Sequence, residues 1–256
     1  TIMANNFNWV AANTLDGVLW EEGTLTSPSL ITQIGTLTIG DSNTKFLDTQ
    51  LNNTGTIVEN HLSNRDLIFQ DEVVLNNSGN YELQRGEIRK ASNSIATFNN
   101  SGTLRKTTTR TGLIGVTFNN TGTVNVERGI LTLAGGGETD GGTFNISLGE
   151  TLNFSNSHTL KNGTQINGDG NLQITGGIVD LQLAGGTAIA DTVELTIGGG
   201  TFEVDGNWTL PNKVNWNGGT LKSPGIITSS DTLTIGDSDT KFLDTQLNNT
   251  GTIVEN

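Results

Sequence analysis

Residues 44–60 read TKFLDTQLNNTGTIVEN, and residues 240–256 repeat the same letters without a change. The match widens to 23–60 against 219–256, a shift of 196 residues. More loosely it pairs Trp20 with Trp216 and, across a three-residue gap, Asn8-Trp9 with Asn207-Trp208. A sequence that repeats itself at this distance is read for its period before anything else. Residues 1–256 are expected to form one continuous repetitive array, a window on a longer repetitive protein.

Inside the long repeat lies a short one: Gly, then Thr or Asn, then a large apolar residue. It occurs at Gly23, Gly55, Gly79, Gly102, Gly122, Gly142, Gly170, Gly200, Gly219 and Gly251. From Gly55 to Gly251 the spacings run from 19 to 32 and divide 196 residues into eight units averaging 24.5. That period belongs to solenoids; propeller blades need about 40 residues and four antiparallel strands. After each Gly the residues alternate, as in Phe144-Asn145-Ile146, Leu172-Gln173-Ile174 and Phe202-Glu203-Val204. Alternation with a period of two marks a strand with one buried face. The expected fold is all-β: a single-stranded parallel β-helix, or β-solenoid, of about ten coils of 19–32 residues. At about 4.8 Å per coil, an eight-coil repeat would span about 38 Å.

The corners carry their own signature, Asn-Asn-Ser/Thr-Gly. It places Asn52, Asn53 and Gly55 in one coil, then Asn76, Asn77 and Gly79, Asn99, Asn100 and Gly102, and Asn119, Asn120 and Gly122. Asn248, Asn249 and Gly251 close the series. Asn and Gly tolerate the left-handed backbone that a sharp corner is expected to need. Stacked Asn residues are also spaced to form amide ladders. The preceding Leu51, Leu75, Phe98, Phe118 and Leu247 predict an inward apolar column.

Composition narrows the function. The chain carries a net charge of −13, which opposes nucleic-acid binding because phosphates need a basic face. It has no cysteine, hence no disulfide or thiolate metal site. No apolar run approaches the ~18 residues of a membrane span, and residues 1–14 show no signal-peptide pattern. Gly40-Asp41-Ser42 resembles an esterase nucleophile motif but lacks the downstream Asp-x-x-His, and reads as a turn. His61 and His158 have no carboxylate partners fixed by spacing and read as solvent-exposed or ladder-edge residues. Asp41, Asp48, Asp237 and Asp244 recur in register as candidates for structural calcium, with Lys45 and Lys241 close enough in sequence to pair with them. The glycine-punctuated nonapeptide that binds calcium is missing, so no cofactor is expected. The four Trp residues are read as packing in or beside the core. A Thr/Asn column (56, 80, 103, 123, 143, 171, 201, 220) is the one candidate for an ice-binding plane, and the charged column beside it, Glu82, Arg105, Glu203 and Lys222 among it, spoils the face.

These Asn-Asn-Thr/Ser-Gly-Thr units and Gly-x-Leu-x-Leu strands resemble the repetitive β-helical regions of large secreted bacterial surface proteins, of the filamentous-haemagglutinin and autotransporter-adhesin kind. The resemblance implies a right-handed helix used as an extracellular or cell-surface fibre or adhesin stalk, without catalysis, self-associating into or within a long fibre and touching host surfaces or polysaccharide. The rival is a polysaccharide-binding or polysaccharide-degrading β-helix. A single cleft lined by carboxylates and an exposed Trp would favour the rival; uniform columns would favour the fibre.

Overall fold

A computed structural model describes residues 7–8, 14–60 and 66–256, with residues 7–8 as backbone strand alone. The chain is an all-β, parallel β-solenoid of about eleven turns with essentially no helix. It divides into two compact units, Thr1–Gly135 and Gly136–Asn256.

In the first unit a turn consists of three short strands. Ile31–Gln33, Thr36–Ile39 and Lys45–Asp48 make one turn. Leu51–Asn53, Thr56–Asn60 and Leu67–Phe69 make the next, paired parallel and in register upon it. One inward column runs Val18, Leu37, Ile57, Tyr81, Leu104, Val124, five steps in 106 residues. In the second unit the column Leu152, Leu172, Leu195, Val214, Leu233, Ile253 takes five steps in 101 residues. A turn is therefore about 20 or 21 residues. At that length the 196-residue repeat corresponds to more than nine turns, not eight.

The eight-unit count fails because the Gly-Thr motif does not mark one sheet. Thr56, Asn80, Thr103 and Thr123 do form a column in the first unit. In the second unit Thr143 stacks on Gln165, Asn171 lies between Thr151 and Glu194, and Thr201 lies between Ile178 and Thr220. These are three different sheets, so the supposed Thr/Asn plane does not exist there.

The inward residues fill a core one turn wide. Leu51, Leu75, Phe98 and Phe118 form a buried column, while Leu247 is half-exposed. Tyr81, Phe98 and Phe118 pack ring against ring at 5.0 and 5.4 Å. Each such contact adds to the roughly 25 cal/mol per Å² of apolar burial. The first unit also buries ionisable side chains: Lys45, Glu59 and Lys106 are all inward. Tyr81 donates its hydroxyl proton to the Glu59 carboxylate, and Lys45 donates to the Gly40 carbonyl.

The repeated sequence folds with the same pairing in both copies. Leu25 faces Leu47 and Leu221 faces Leu243; Leu37 faces Ile57 and Leu233 faces Ile253. Leu47 and Ile57 are each 0% exposed beneath a further turn. Burial here is a property of the neighbouring turn as much as of the residue.

Candidate functional site

Alternation decides what each corner Asn does. In Leu51–Asn53 the Leu points in, Asn52 out and Asn53 in. The inner residues make a buried amide ladder. Asn53 Nδ2 donates to Asn77 Oδ1 at 2.6 Å, Asn77 to Asn100 at 2.7 Å, and Asn100 to Asn120 at 2.7 Å. Each inner amide also reaches backbone: Asn53 donates to the Asn80 carbonyl at 2.9 Å and Asn77 to that of Thr103 at 3.2 Å. The Gly55 and Gly122 N–H groups donate at 3.2 Å to the Oδ1 of Asn53 and Asn120. These backbone partners fix which end of each amide is oxygen, so the inner ladder donates toward the C-terminus.

The outer ladder runs the other way. Asn119 donates to Asn99 at 3.0 Å, Asn99 to Asn76 and Asn76 to Asn52 at 2.9 Å each. Its amide dipoles therefore oppose those of the inner ladder. Backbone completes the corner: the Asn77 carbonyl accepts from Ser101 N at 2.8 Å, Gly102 N at 2.9 Å and Ser101 Oγ at 3.3 Å.

The corner glycines serve a purpose other than the expected one. None of Gly55, Gly79, Gly102, Gly122 or Gly251 has a left-handed φ, and neither do the paired Asn residues. Instead a Cβ on Gly102 would lie 2.2 Å from the Gly79 carbonyl oxygen, and one on Gly79 would lie 2.2 Å from that of Gly55. Glycine stacks on glycine because successive turns leave no room for a methyl group.

Several members of the polar interior, Gln33 and Lys106 among them, carry no repeated motif. Gln33 sits in register with Asn53, is buried, and donates to the Thr56 carbonyl at 3.3 Å, but its Oε1 has no partner, so the amide-to-amide ladder begins at Asn53. Its signal was the parallel between Ile31-Thr32-Gln33 and Leu51-Asn52-Asn53. Lys106 is fully buried, and its Nζ donates to the Gln84 and Arg128 carbonyls at 3.3 Å, to Thr108 Oγ1 at 3.1 Å and to the Thr108 carbonyl. Gly112 makes space for its stem, since a Cβ there would meet Lys106 Cδ at 2.9 Å.

The remaining candidates are dispersed. Asn248 and Asn249 are exposed and in register with Thr228 and Ser229, with Asn249 donating to the Gly251 carbonyl at 3.2 Å. Ser42 Oγ donates to the Glu21 carboxylate at 2.8 Å and belongs to a turn. His61 and Trp9 lie outside the described residues. His158, expected at the surface or a ladder edge, is instead buried against Phe154 at 4.8 Å, with Nε2 2.9 Å from Thr139 Oγ1 and Nδ1 unpartnered; burial lowers its pKa to about 3. Trp20 and Trp216 are buried, while Trp208 is half-exposed. Among the described residues no three His, Cys, Asp or Glu side chains gather as a metal site.

Charge is arranged in outward columns. Arg105 lies between Glu127, 2.7 Å away, and Glu82, 3.6 Å away, and its pKa is raised chiefly by the Glu127 hydrogen bond. Lys222 pairs with Glu203 at 2.9 Å. Such exposed pairs contribute about 0–1 kcal/mol each. The ladders themselves present no titratable group and no nucleophile; their chemistry is the holding of turns at fixed separation. No family model matches the chain, and no curated protein or solved structure matches it.

Proposed function

We propose that this chain is a structural element of an extracellular or cell-surface fibre or adhesin stalk, made of tandem β-solenoid repeats and without catalysis or cofactor. One observation carries the reading: the same letters recur after 196 residues and fold with the same strand pairing, so the chain repeats a structural unit as well as a sequence. Each turn buries its inward residues against its neighbours, which suits tandem repeats joined along one axis. The opposed Asn ladders stiffen the shaft, and the charge of −13 keeps shafts apart laterally. The resemblance to filamentous-haemagglutinin and autotransporter-adhesin regions supports a right-handed helix and a location outside the cell.

Electron microscopy of the native material tests this. Fibres with an axial repeat of roughly 45 Å, from more than nine turns of about 4.8 Å, support it. Discrete globular particles refute it. A polysaccharide-binding role is favoured by a separate observation, a cleft in the second unit.

A further inference from the structure

In the second unit two of the three sheets run without interruption. One carries Gly137, His158, Ile178, Thr201, Thr220 and Phe242 in adjoining strands, and the other runs from Thr151 to Thr252. The third is broken. Ile166 pairs with Ile189, and Trp208 pairs with Ile227, but among the described residues the ladder does not join Ala188–Ile189 to Trp208–Thr209. The sequence supplies a cause. A bulky indole stands in a column otherwise made of Ile166, Ile189, Ile227 and Leu247, and Pro211 just beyond has no N–H to donate.

A cleft of about 530 Å³ opens at the break, lined by Asp191, Asn207, Trp208, Thr209, Thr228 and Asn248 with Ile189 and Ile226. Trp208 meets Phe202 edge-on at 5.5 Å and remains half-exposed. Asn207 Oδ1 accepts from the Ile226 N–H at 2.7 Å, which leaves its Nδ2 to donate. Asp191 is exposed, and Thr209, Thr228 and Asn248 stand in one outward column.

We propose that this cleft binds a neutral hexose polymer lying along the solenoid axis. Indole surface suits the apolar C–H face of a pyranose ring, and a carboxylate, an amide and hydroxyls beside it suit the ring's hydroxyl groups. Three turns at about 4.8 Å give a polar column long enough for two or three sugar units. The net charge of −13 repels polyuronates, so the class is neutral. This site does not depend on the fibre reading.

The test is calorimetric titration with maltohexaose, cellohexaose and hexa-N-acetylchitohexaose, with oligogalacturonate as the acidic comparison. At least one neutral hexamer binds saturably; Trp208→Phe weakens it about tenfold, and the exposed pair Asp191→Asn with Thr209→Ala does the same. Circular dichroism of the exposed-pair variant stays that of the parent, so a folding defect in Trp208→Phe does not blur the result. Failure of every neutral hexamer to bind at about 10 mM overturns the proposal. So does binding indifferent to the exposed-pair variant, or equal affinity for oligogalacturonate. Electron microscopy of that variant reads the axial repeat independently, so a lost site and a lost fibre are separate outcomes.

Discussion

The inner and outer Asn ladders offer a controlled comparison, because Asn76 and Asn77 are neighbours with the same side chain and opposite surroundings. Asn77→Ala removes three hydrogen bonds: one accepted from Asn53 at 2.6 Å, one donated to Asn100 at 2.7 Å and one to the Thr103 carbonyl at 3.2 Å. At about 1 kcal/mol net for each bond, and more for a partner left buried without a donor, the loss is about 3–5 kcal/mol. Asn53 keeps its bond to the Asn80 carbonyl, which holds the figure to that range. Asn76→Ala removes two ladder bonds of 2.9 Å, to Asn52 and from Asn99, but water replaces them at the exposed face. Its cost is under about 1 kcal/mol.

A solenoid need not unfold in one step, so a denaturation midpoint alone is an incomplete measure. Hydrogen exchange at the Ser101 and Gly102 amides, which donate to the Asn77 carbonyl, reads the corner directly. Asn77→Ala should speed exchange there by about two orders of magnitude more than Asn76→Ala, since 1.4 kcal/mol is a factor of ten. Asn77→Asp should be at least as damaging as Asn77→Ala, because an ionised carboxylate accepts from Asn53 but sets oxygen against Asn100 Oδ1 and the Thr103 carbonyl. Equal effects at positions 76 and 77, or a neutral Asn77→Ala, would refute the claim that the buried amides hold the turns together.

Gly102→Ala places a Cβ 2.2 Å from a backbone oxygen that cannot rotate away; it should cost more than about 3 kcal/mol by denaturant titration, and tolerance would show that turns separate easily. Tyr81 is the chain's single tyrosine, and its pKa is held well above the usual phenol value, first by burial and then by the Glu59 charge and hydrogen bond. The folded state keeps a proton that the unfolded state loses above about pH 10, so stability falls as pH rises beyond that point; absorbance at about 295 nm should show no phenolate until the chain unfolds, and a folded-state titration near the ordinary value would contradict this. His158 carries the opposite sign. With its pKa lowered to about 3, the folded state binds fewer protons than the unfolded, so its contribution is complete above about pH 6.5 and falls, by on the order of 4 kcal/mol, as pH drops toward 3. Acid titration of His158→Gln followed by circular dichroism should lose that component, and an unchanged profile would remove His158 as its source.

The parallel strands, the alternation and the apolar column through Leu51, Leu75, Phe98 and Phe118 were legible because each depends only on spacing along the chain. Turn length was not. The Gly-Thr motif marks whichever strand follows a tight corner, and in the second unit that strand moves from sheet to sheet. Glycine was legible as a corner residue, but its cause was not, since a collision with the previous turn's carbonyl is invisible until two turns are stacked. The inward lysines were hidden for a related reason. Lys45-Phe46-Leu47 offers two apolar neighbours to a period-two pattern, and the structure turns Lys45 and Leu47 in and Phe46 outward. A lysine stem covers as much apolar surface as a leucine, and its charged head can reach a carbonyl at a corner. Gly112, read alone, gives no hint that it accommodates Lys106.

Uniformity and interruption do different work in this fold. Where every turn repeats its neighbour, as along Asn53, Asn77, Asn100 and Asn120, each polar group finds its partner in the next turn and little remains for a ligand. Where the ladder is interrupted, as between Ala188–Ile189 and Trp208–Thr209 among the described residues, polar side chains and an aromatic surface face a cleft. A binding site needs groups that the scaffold has not already satisfied. In a chain whose strands recur at 196 residues with the same letters, such a place is marked by irregularity: a strand shortened to Ala188–Ile189 and, on the next turn, an oversized side chain and a proline. The same rule locates the ladders and the cleft, since both follow from asking whether the turn above supplies what the turn below requires.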